Sequence, residues 1–594
     1  MASITITING QKIPAQTGQT VLEAARAADI EIPTLCDHPA LKPIGACRVC
    51  LVEVAGQRAL QPACTFPVAD KMDVQTESPK VVQARKFVME LIFTERNHFC
   101  MYCEMSGGCE LQNLAYRYGI DHMTYPSYVQ PFPVDASPLH FLLDHNRCVL
   151  CRRCMRMCAD LVANHTLDMR QRGAATMVQA DMNLPIGQSS CISCGNCLDV
   201  CPTGALIDKR SAFMARDAQS EHVKSVCSQC SLGCGVDIVT RAGNVLRLQG
   251  DPDGPVNRGL LCQKGRFDSL YVERTRILAP LVRVREKQQE VDWAEALKAV
   301  AERLGRTAAP KLGVLASSHA TNEALYLLGK LFVKELKAGQ VGLLNQVVPA
   351  LSKKVQGSLG DVLAGDCIVV VGSDPVKDQP VASFFVKKAA DAGARLIVVE
   401  DAESSLAAFA ETTLGLREVR KAVDAAKAAQ KPVVLYGTGM TDEAAKELKS
   451  LDGKALFIPL QPGVNTYAAV RFGLDRGLDS SGLEVLYILA GEQDVDGQEI
   501  LKKVGKAAFV IVQASYASAL TERADVVLPM ATWAERSGTL TSTTGVVQEV
   551  RKVTESQGAS KADWEILSLL AEKMGKKLGA SLDEIAVNAA QQLQ

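Results

Sequence analysis

The sequence predicts a multidomain chain, α+β at its front and α/β at its back, and three observations carry that expectation. At 594 residues the chain exceeds the roughly 250–300 at which a single core stops growing, so it needs several domains. Nineteen of its 20 cysteines precede position 263; in a reducing compartment such a density of thiols argues for metal, because disulfides would not persist there. Beyond position 276, helical stretches alternate with apolar runs of strand length, the rhythm of parallel sheets covered by helices. Hydrophobic and charged fractions of 47% and 22% are those of an ordinary globular protein. A net charge of −1 and a pI near 6.7 provide no field for nucleic acid. The start, MASITITING, has no signal-like apolar segment, and no run reaches 18 apolar residues. The chain is therefore expected in the cytoplasm, touching a membrane only through partners.

The organising stretch is residues 148–201. It reads CVLCRRCMRMC, a gap of 32 residues, then CISCGNCLDVCP. A C-x2-C-x2-C-x3-C run occurring twice is the pattern of a two-cluster bacterial ferredoxin domain, placed here at 138–215. Three cysteines of each run wrap one [4Fe-4S] cube and the fourth serves the other. Cys148, Cys151, Cys154 and Cys201 are assigned to one cube, and Cys191, Cys194, Cys197 and Cys158 to the second. Zinc is the competing reading, but a third cysteine in each loop has no role in a tetrahedral structural site.

Residues 1–80 begin with two short alternating runs joined by Asn9-Gly10, a hairpin signal. The Ala-rich helical segment TVLEAARAADI follows, then Cys36, Cys47, Cys50 and Cys64 with spacing C-x10-C-x2-C-x13-C. This arrangement resembles the plant-type (β-grasp) ferredoxin module holding a [2Fe-2S] cluster. Its long first gap departs from the plant-type spacing and is similar to the corresponding domain of the large iron-sulfur subunit of respiratory complex I and of iron-only hydrogenases. A zinc ribbon is the alternative.

In residues 81–125 the pattern turns helical, and Cys100, Cys103 and Cys109 supply three thiolates, one short of a cube. His98 is the candidate fourth ligand, since neutral imidazole binds iron and already lies in the loop; a surface histidine is the alternative. CELQ resembles the complex I domain with one histidine and three cysteine ligands. That family has its histidine four positions before the first cysteine, where this chain has Arg96. The spacing of His98 is similar instead to the small diaphorase subunit of NAD-reducing nickel-iron hydrogenases. Proline and aromatic residues at 125–138 predict an extended linker.

A fifth set, Cys227, Cys230, Cys234 and Cys262, falls in residues 220–275. C-x2-C-x3-C with a distant fourth cysteine in LCQKGRF resembles the N-terminal [4Fe-4S] domain of molybdopterin oxidoreductases. The resemblance places Lys264 between cube and pterin. One [2Fe-2S] and four [4Fe-4S] clusters thus use 19 cysteines and His98. Cys367 is left over, in an apolar run that reads as a buried strand.

Residues 276–594 contain WAEALKAVAERLG and ATNEALYLLGKLFVKEL as helices, and KLGVLAS, CIVVVG, ARLIVVE, PVVLYG, LEVLYILAG, AAFVIVQ and ADVVLP as strands. SSHATNEALYLLGKL and ADVVLPMATWAERSGTLTSTTGVVQ resemble the molybdopterin-oxidoreductase α/β fold. Where formate dehydrogenases of that family carry the cysteine or selenocysteine that binds molybdenum, this chain reads GQVGLLNQVVPALSKK. Ser352 is in range, but nothing around it matches a known motif. The domain that closes over the pterin dinucleotide is also expected to be absent, so the expectation is a degenerate domain without molybdopterin. No flavin or nicotinamide site is read either; YGTGMTDEA lacks the third glycine of a dinucleotide turn and reads as a structural strand-to-helix turn.

Together the motifs resemble the large iron-sulfur subunit of complex I and of NAD-linked hydrogenase and formate dehydrogenase complexes. The resemblance implies an electron-transfer subunit of an NAD(P)H-dependent oxidoreductase, with no substrate site of its own. Its implied partners are a flavoprotein NAD(P)H-binding subunit with FMN, a small thioredoxin-like [2Fe-2S] subunit, and hydrogenase, formate dehydrogenase or quinone-module subunits. The competing functions are a molybdenum or tungsten formate dehydrogenase, an iron-only hydrogenase and a structural zinc scaffold.

Overall fold

A computed structural model describes residues 2–127, 130–352, 357–477, 482–493, 500, 509–579 and 581–593. The chain divides into two compact units, residues 1–220 and 221–594.

The front unit opens on the expected hairpin. Ser3–Ile8 pairs antiparallel with Gln11–Gln16 around Asn9 (φ 52°) and Gly10 (φ 82°), two left-handed residues that match the strand twist. Asp73–Gln75 joins parallel to the first strand, and Leu51–Val54 and Gln61–Pro62 complete five strands. The helix Val21–Ala27 is fixed by a capping box: Glu23 N–H donates to Thr20 Oγ1 at 3.2 Å, and Thr20 N–H donates to Glu23 Oε2 at 2.7 Å. The core beneath it joins Ile6, Ile8, Val21 and Val52 to Cys50 and Cys64.

Pro79–Glu95 forms the expected helix, with Ser78 as N-cap and Pro79 in the first turn. Its Arg85 is fully buried and donates to Glu77 Oε1 at 2.8 Å, Tyr118 OH at 2.7 Å and Leu51 O at 2.7 Å. One cation thereby joins the long helix, the sheet and the helix Glu110–Arg117. Among the described residues of the expected linker, the short strand Val134–Asp135 pairs with Phe141–Asp144.

The doubled cysteine run shows an internal repeat in its backbone. Leu150 (φ 53°) and Arg152 (φ 59°) of the first run correspond to Ser193 (φ 52°) and Gly195 (φ 72°) of the second. Each run then enters a one-turn helix, Arg153–Arg156 and Asn196–Asp199.

The back unit begins with an antiparallel sheet of Glu221–Val226, Gly235–Arg241 and Asn244–Gly250, which the apolar-run reading did not anticipate. Two larger sheets follow. One has seven strands in the order Lys287–Glu290, Leu281–Val284, Val526–Pro529, Phe509–Ala514, Val485–Gly491, Leu312–Ala316, Gln340–Leu343. Five of these are parallel, four of them expected and Gln340–Leu343 not; the first two pair antiparallel, a short hairpin of LVRV and the polar KQQE that was not read as strands. Phe509–Ala514 realises AAFVIVQ, whose first two residues lie outside the described ones, as do Lys353 and Lys354.

The second sheet is wholly parallel, in the order Thr412–Leu414, Arg395–Val399, Cys367–Val371, Pro432–Tyr436, Leu456–Pro459, a doubly wound arrangement. Cys367 lies in its core, 2% exposed. At its switch point the turn after Tyr436 folds onto the turn after Val371, with Gly439 N–H donating to Gly372 O at 2.9 Å. The G-x-G of YGTGMTDEA therefore serves packing between two turns. The segment ATNEALYLLGKLFVKEL is helical but widens from α geometry over Asn322–Leu328 to π geometry over Gly329–Glu335. Gly329 sits where a Cβ would meet Phe472 O at 2.8 Å.

Gly372 has φ +58°, and a Cβ there would stand 2.2 Å from Met440 N. Gly372→Ala is expected to cost at least about 2 kcal/mol, read as an earlier urea transition of the full-length chain by circular dichroism.

Candidate metal centres

In the first loop the four thiols meet in two pairs, with all of them except Cys47 about 1% exposed. Cys47 N–H donates to Cys36 Sγ at 3.4 Å. A hydrogen bond from Cys47 holds the Cys36 thiol down to about 6, and the same bond together with burial pushes Cys47 up. Cys50 and Cys64 behave alike, Cys64 lowered by Cys50 and Cys50 raised by Cys64 and burial. Left-handed Gly45 and Arg48 wrap the loop around these sulfurs.

His98, Cys100, Cys103 and Cys109 line one cavity of about 320 Å3. The ring of His98 stands edge-on to Phe93, 5.4 Å between centroids, and its buried Nε2 has no hydrogen-bond partner in the structure. Burial, then Arg147 and Arg96, pull the imidazole down to about 4, so it is neutral at physiological pH, the form that ligates metal. Arg96, at the position where the complex I pattern has histidine, points elsewhere. It donates to His145 O at 2.7 Å and to Thr176 O, with its guanidinium 4.0 Å from the centroid of the Phe132 ring. Sequence reading missed Gly204, where a Cβ would lie 2.5 Å from Cys103 Sγ. No spacing rule exposes that constraint, because it comes from a loop about a hundred residues away.

Cys158, Cys191, Cys194 and Cys197 line a second cavity, of about 360 Å3. Cys148, Cys151, Cys154 and Cys201 act electrostatically on one another. The fourth cysteine of each run thus stands with the first three of the other. Burial pushes the thiols of Cys148 to about 11 and Cys151 to about 12, and those of Cys154 and Cys197 well above the usual range.

In the back unit, Cys227, Cys230, Cys234 and Cys262 line a cavity of about 340 Å3 with Lys264, Gly265 and Asp378. Cys227 follows one strand of the small sheet and Cys234 precedes the next, so both are held by strand ends. A Cβ at Gly265 would come within 3.2 Å of Cys227 Sγ.

The three cavities are of nearly one size, and among the described residues no three His, Cys, Asp or Glu side chains converge to hold a single ion. Buried thiols, a partnerless imidazole nitrogen and glycines packed closely against cysteine sulfurs fit iron-sulfur groups.

Family comparisons agree with this order of sites. Residues 1–79 match the 2Fe-2S iron-sulfur cluster binding domain, 85–124 the NADH-ubiquinone oxidoreductase-G iron-sulfur binding region, and 140–207 the ferredoxin-like domain of NADH-quinone oxidoreductase subunit 3. Residues 220–274 match the molybdopterin oxidoreductase Fe4S4 domain, and 276–451 with 464–573 match molybdopterin oxidoreductase. The second G-type NADH-quinone oxidoreductase chain of Rhizobium meliloti is 27% identical over 98% of this chain and 80% of its own length. Subunit 3 of the Thermus thermophilus enzyme is 29% identical over 96% of this chain and 83% of its own. The chain is a homologue of the G-type subunits of NADH-quinone oxidoreductase.

The NADPH-Fe(3+) oxidoreductase subunit alpha of Geobacter sulfurreducens is 28% identical to this G-type homologue over 98% of the chain and 83% of the relative. A solved NAD+-reducing [NiFe]-hydrogenase chain is 36% identical over 36% of this chain and 91% of its own, with a TM-score of 0.35.

In the G-type homologue the carboxyl ends of the seven-stranded sheet are occupied by mutually bonded side chains. Ser317 Oγ donates to Gln493 Oε1 at 2.8 Å, and Gln493 Nε2 to Asn345 Oδ1 at 2.7 Å. Buried Arg536 pairs with Asp563 at 2.8 Å and lies 3.6 Å from Glu492, while Arg276 forms a two-pronged pair with Glu535 at 3.0 and 2.9 Å. Lys264 Nζ is tied to Lys377 O at 2.8 Å. The segment before Ser352 packs inward: Leu351 lies in the five-stranded sheet's core, and its N–H donates to Tyr436 OH at 3.3 Å.

His98→Ala should remove about four irons per chain and His98→Cys should restore them, counted in anaerobic preparations. Burial, opposed by Arg536 and Arg276, pushes Glu492 up to about 7 from its usual 4.5. The folded protein therefore holds a proton that the unfolded chain has lost, and this stability disappears as pH rises from about 4.5 to about 7. Glu492→Gln should flatten that dependence and stabilise the chain at pH 8 by about 1–3 kcal/mol, measured by urea unfolding across the range.

Proposed function

We propose that this chain is the electron-conducting iron-sulfur subunit of a multisubunit NAD(P)H-linked oxidoreductase. The observation that supports the reading is the gathering of 19 cysteines and His98 into five groups of four. Cys36, Cys47, Cys50 and Cys64 hold a [2Fe-2S] cluster. His98 with Cys100, Cys103 and Cys109, the two crossed sets, and Cys227 with Cys230, Cys234 and Cys262 hold four [4Fe-4S] clusters. The clusters supply one-electron couples. The chain's residues hold them in place, exclude water, and set their potentials by ligand type, burial and nearby charge.

The partners proposed are a flavoprotein that oxidises NAD(P)H on FMN, a small thioredoxin-like [2Fe-2S] subunit, and a module at the far end that handles quinone, hydrogen or formate. Among the described residues no helix is long and apolar enough to cross a membrane, and a cytoplasmic setting, with membrane contact through partners, suits this role.

The fold family also implies a molybdopterin, and the residues present do not fit one. The sheet ends where it would lie are occupied by the Arg536, Asp563 and Gln493 network, Lys264 is bound to a backbone carbonyl, and the segment around Ser352 offers no thiol or selenol. A formate dehydrogenase reading is disfavoured on that ground.

Anaerobically purified chain should contain about 18 irons and no molybdenum or tungsten. It should be bleached by dithionite but not by NADH or NADPH until a flavoprotein subunit is added. Direct bleaching by NADH, or formate-dependent dye reduction by the chain alone, would sink the proposal.

A further inference from the structure

The two crossed cubes are held by backbones that repeat each other, yet their surroundings differ in charge. At the first buried position of the one-turn helix, the first run has Arg153, 3% exposed, and the second has Asn196, 1% exposed. Three residues on, the pair is Arg156 and Asp199. We propose that Arg153 and Arg156 are positioning residues that fix the Cys148, Cys151, Cys154 and Cys201 cluster between two neighbouring loops, and that the Arg153 guanidinium stabilises its reduced state relative to the other cube. The inference rests on reading these cysteines as ligands of a redox-active cluster.

The geometry of the two arms is complementary. Arg153 Nη1 and Nη2 donate to Glu110 Oε1 and Oε2 at 2.6 and 2.8 Å, gripping the residue that follows Cys109. Nη1 also lies 3.4 Å from Val200 O, beside Cys201. Arg156 reaches the other way, donating to Lys42 O at 2.6 Å and to Cys36 O. The one-turn helix Arg153–Arg156, which contains Cys154, thus ties three neighbouring cysteine loops together, and the forked guanidinium fixes direction as well as distance.

Burial decides the sign of the field at the cluster. A guanidinium remains protonated in proteins, and Coulomb interactions strengthen where water is excluded. Its partner Glu110 is 44% exposed, so water screens the carboxylate more than the buried cation, leaving a net positive field toward Cys151 and Cys201. When the cluster takes up one electron, that field favours the added negative charge, and no proton moves.

The test is an anaerobic redox titration of the full-length chain followed by electron paramagnetic resonance. The signal is assigned through its loss in Cys201→Ala. At fixed potential, Arg153→Met should lower the reduced-to-oxidised ratio of this cluster about tenfold, equal to 59 mV for one electron. Arg153→Lys should stay within about twofold and Glu110→Gln should raise the ratio, since the electrostatic role requires opposite shifts. Shifts of the same sign in Arg153→Met and Glu110→Gln, or none, would overturn the inference, because loosened packing has no reason to follow charge. If Arg153→Met does not load iron, Glu110→Gln decides alone, an unmoved or lowered ratio counting against the inference. Wild-type chain lacking iron at these cysteines would overturn the proposed function itself, a different failure from loaded clusters with unmoved potentials.

Discussion

The front unit depends on one electrostatic constraint: sulfur that must carry negative charge is placed where water cannot solvate it. Burial, with repulsion from the neighbouring cysteine sulfurs, drives the thiols of Cys154 and Cys197 well above their usual range, so these loops favour neutral thiols. Thiolate forms there only if cationic metal replaces the lost hydration, and binding of that metal then becomes part of the folding free energy. The hydrophobic cores are arranged accordingly. Cys50 and Cys64 belong to the core of the five-stranded sheet, and Cys109 packs with Leu35, Met89 and Leu111. These proposed ligands are also core residues, so under the proposed function losing a cluster would open the core as well as break the electron path.

The same constraint explains the backbone. A short loop can aim several sulfurs inward only by reversing direction within a few residues, which requires left-handed conformations. They occur at Leu150, Arg152, Ser193 and Gly195 in the doubled run and at Gly45 and Arg48 in the first loop. For residues other than glycine such conformations are costly. Their recurrence at matching positions shows the two runs obeying one geometric demand with different side chains.

What could be read from sequence follows the range of the forces involved. Cysteine spacing is legible because a loop wrapping a cube is local, and the crossed fourth ligand follows from the doubled pattern. What favours His98 over Arg96 as the proposed ligand is that Arg96 is engaged by partners 49 and 80 residues away and stacks over Phe132, which spacing alone does not encode. Gly204 and Arg153 were illegible for the same reason: their importance lies in atoms of loops distant in sequence. In the back unit the apolar parallel strands announced themselves, whereas Leu281–Val284 and Lys287–Glu290 joined the sheet as an edge hairpin whose second strand is polar. Edge strands need not be apolar on both faces, so periodicity misses them.

The back unit shows why fold and function separate. Its doubly wound sheet has a switch point, the usual place for a ligand crevice, yet the turns there press together until Gly372 and Gly439 touch through their backbones. At the seven-stranded sheet's carboxyl ends, charges that would need a ligand or water find each other instead: Arg536 with Asp563, and Arg276 with Glu535. Removing one member of such a buried pair leaves an uncompensated charge, a penalty of about 3–5 kcal/mol, so the network resists opening. What this unit offers to redox chemistry is therefore the placement of Cys227, Cys230, Cys234 and Cys262, two of them fixed at strand ends and one at the start of a helix. A rigid scaffold whose crevices are closed holds a cluster at a constant position, and constancy of position is what electron transfer asks of it.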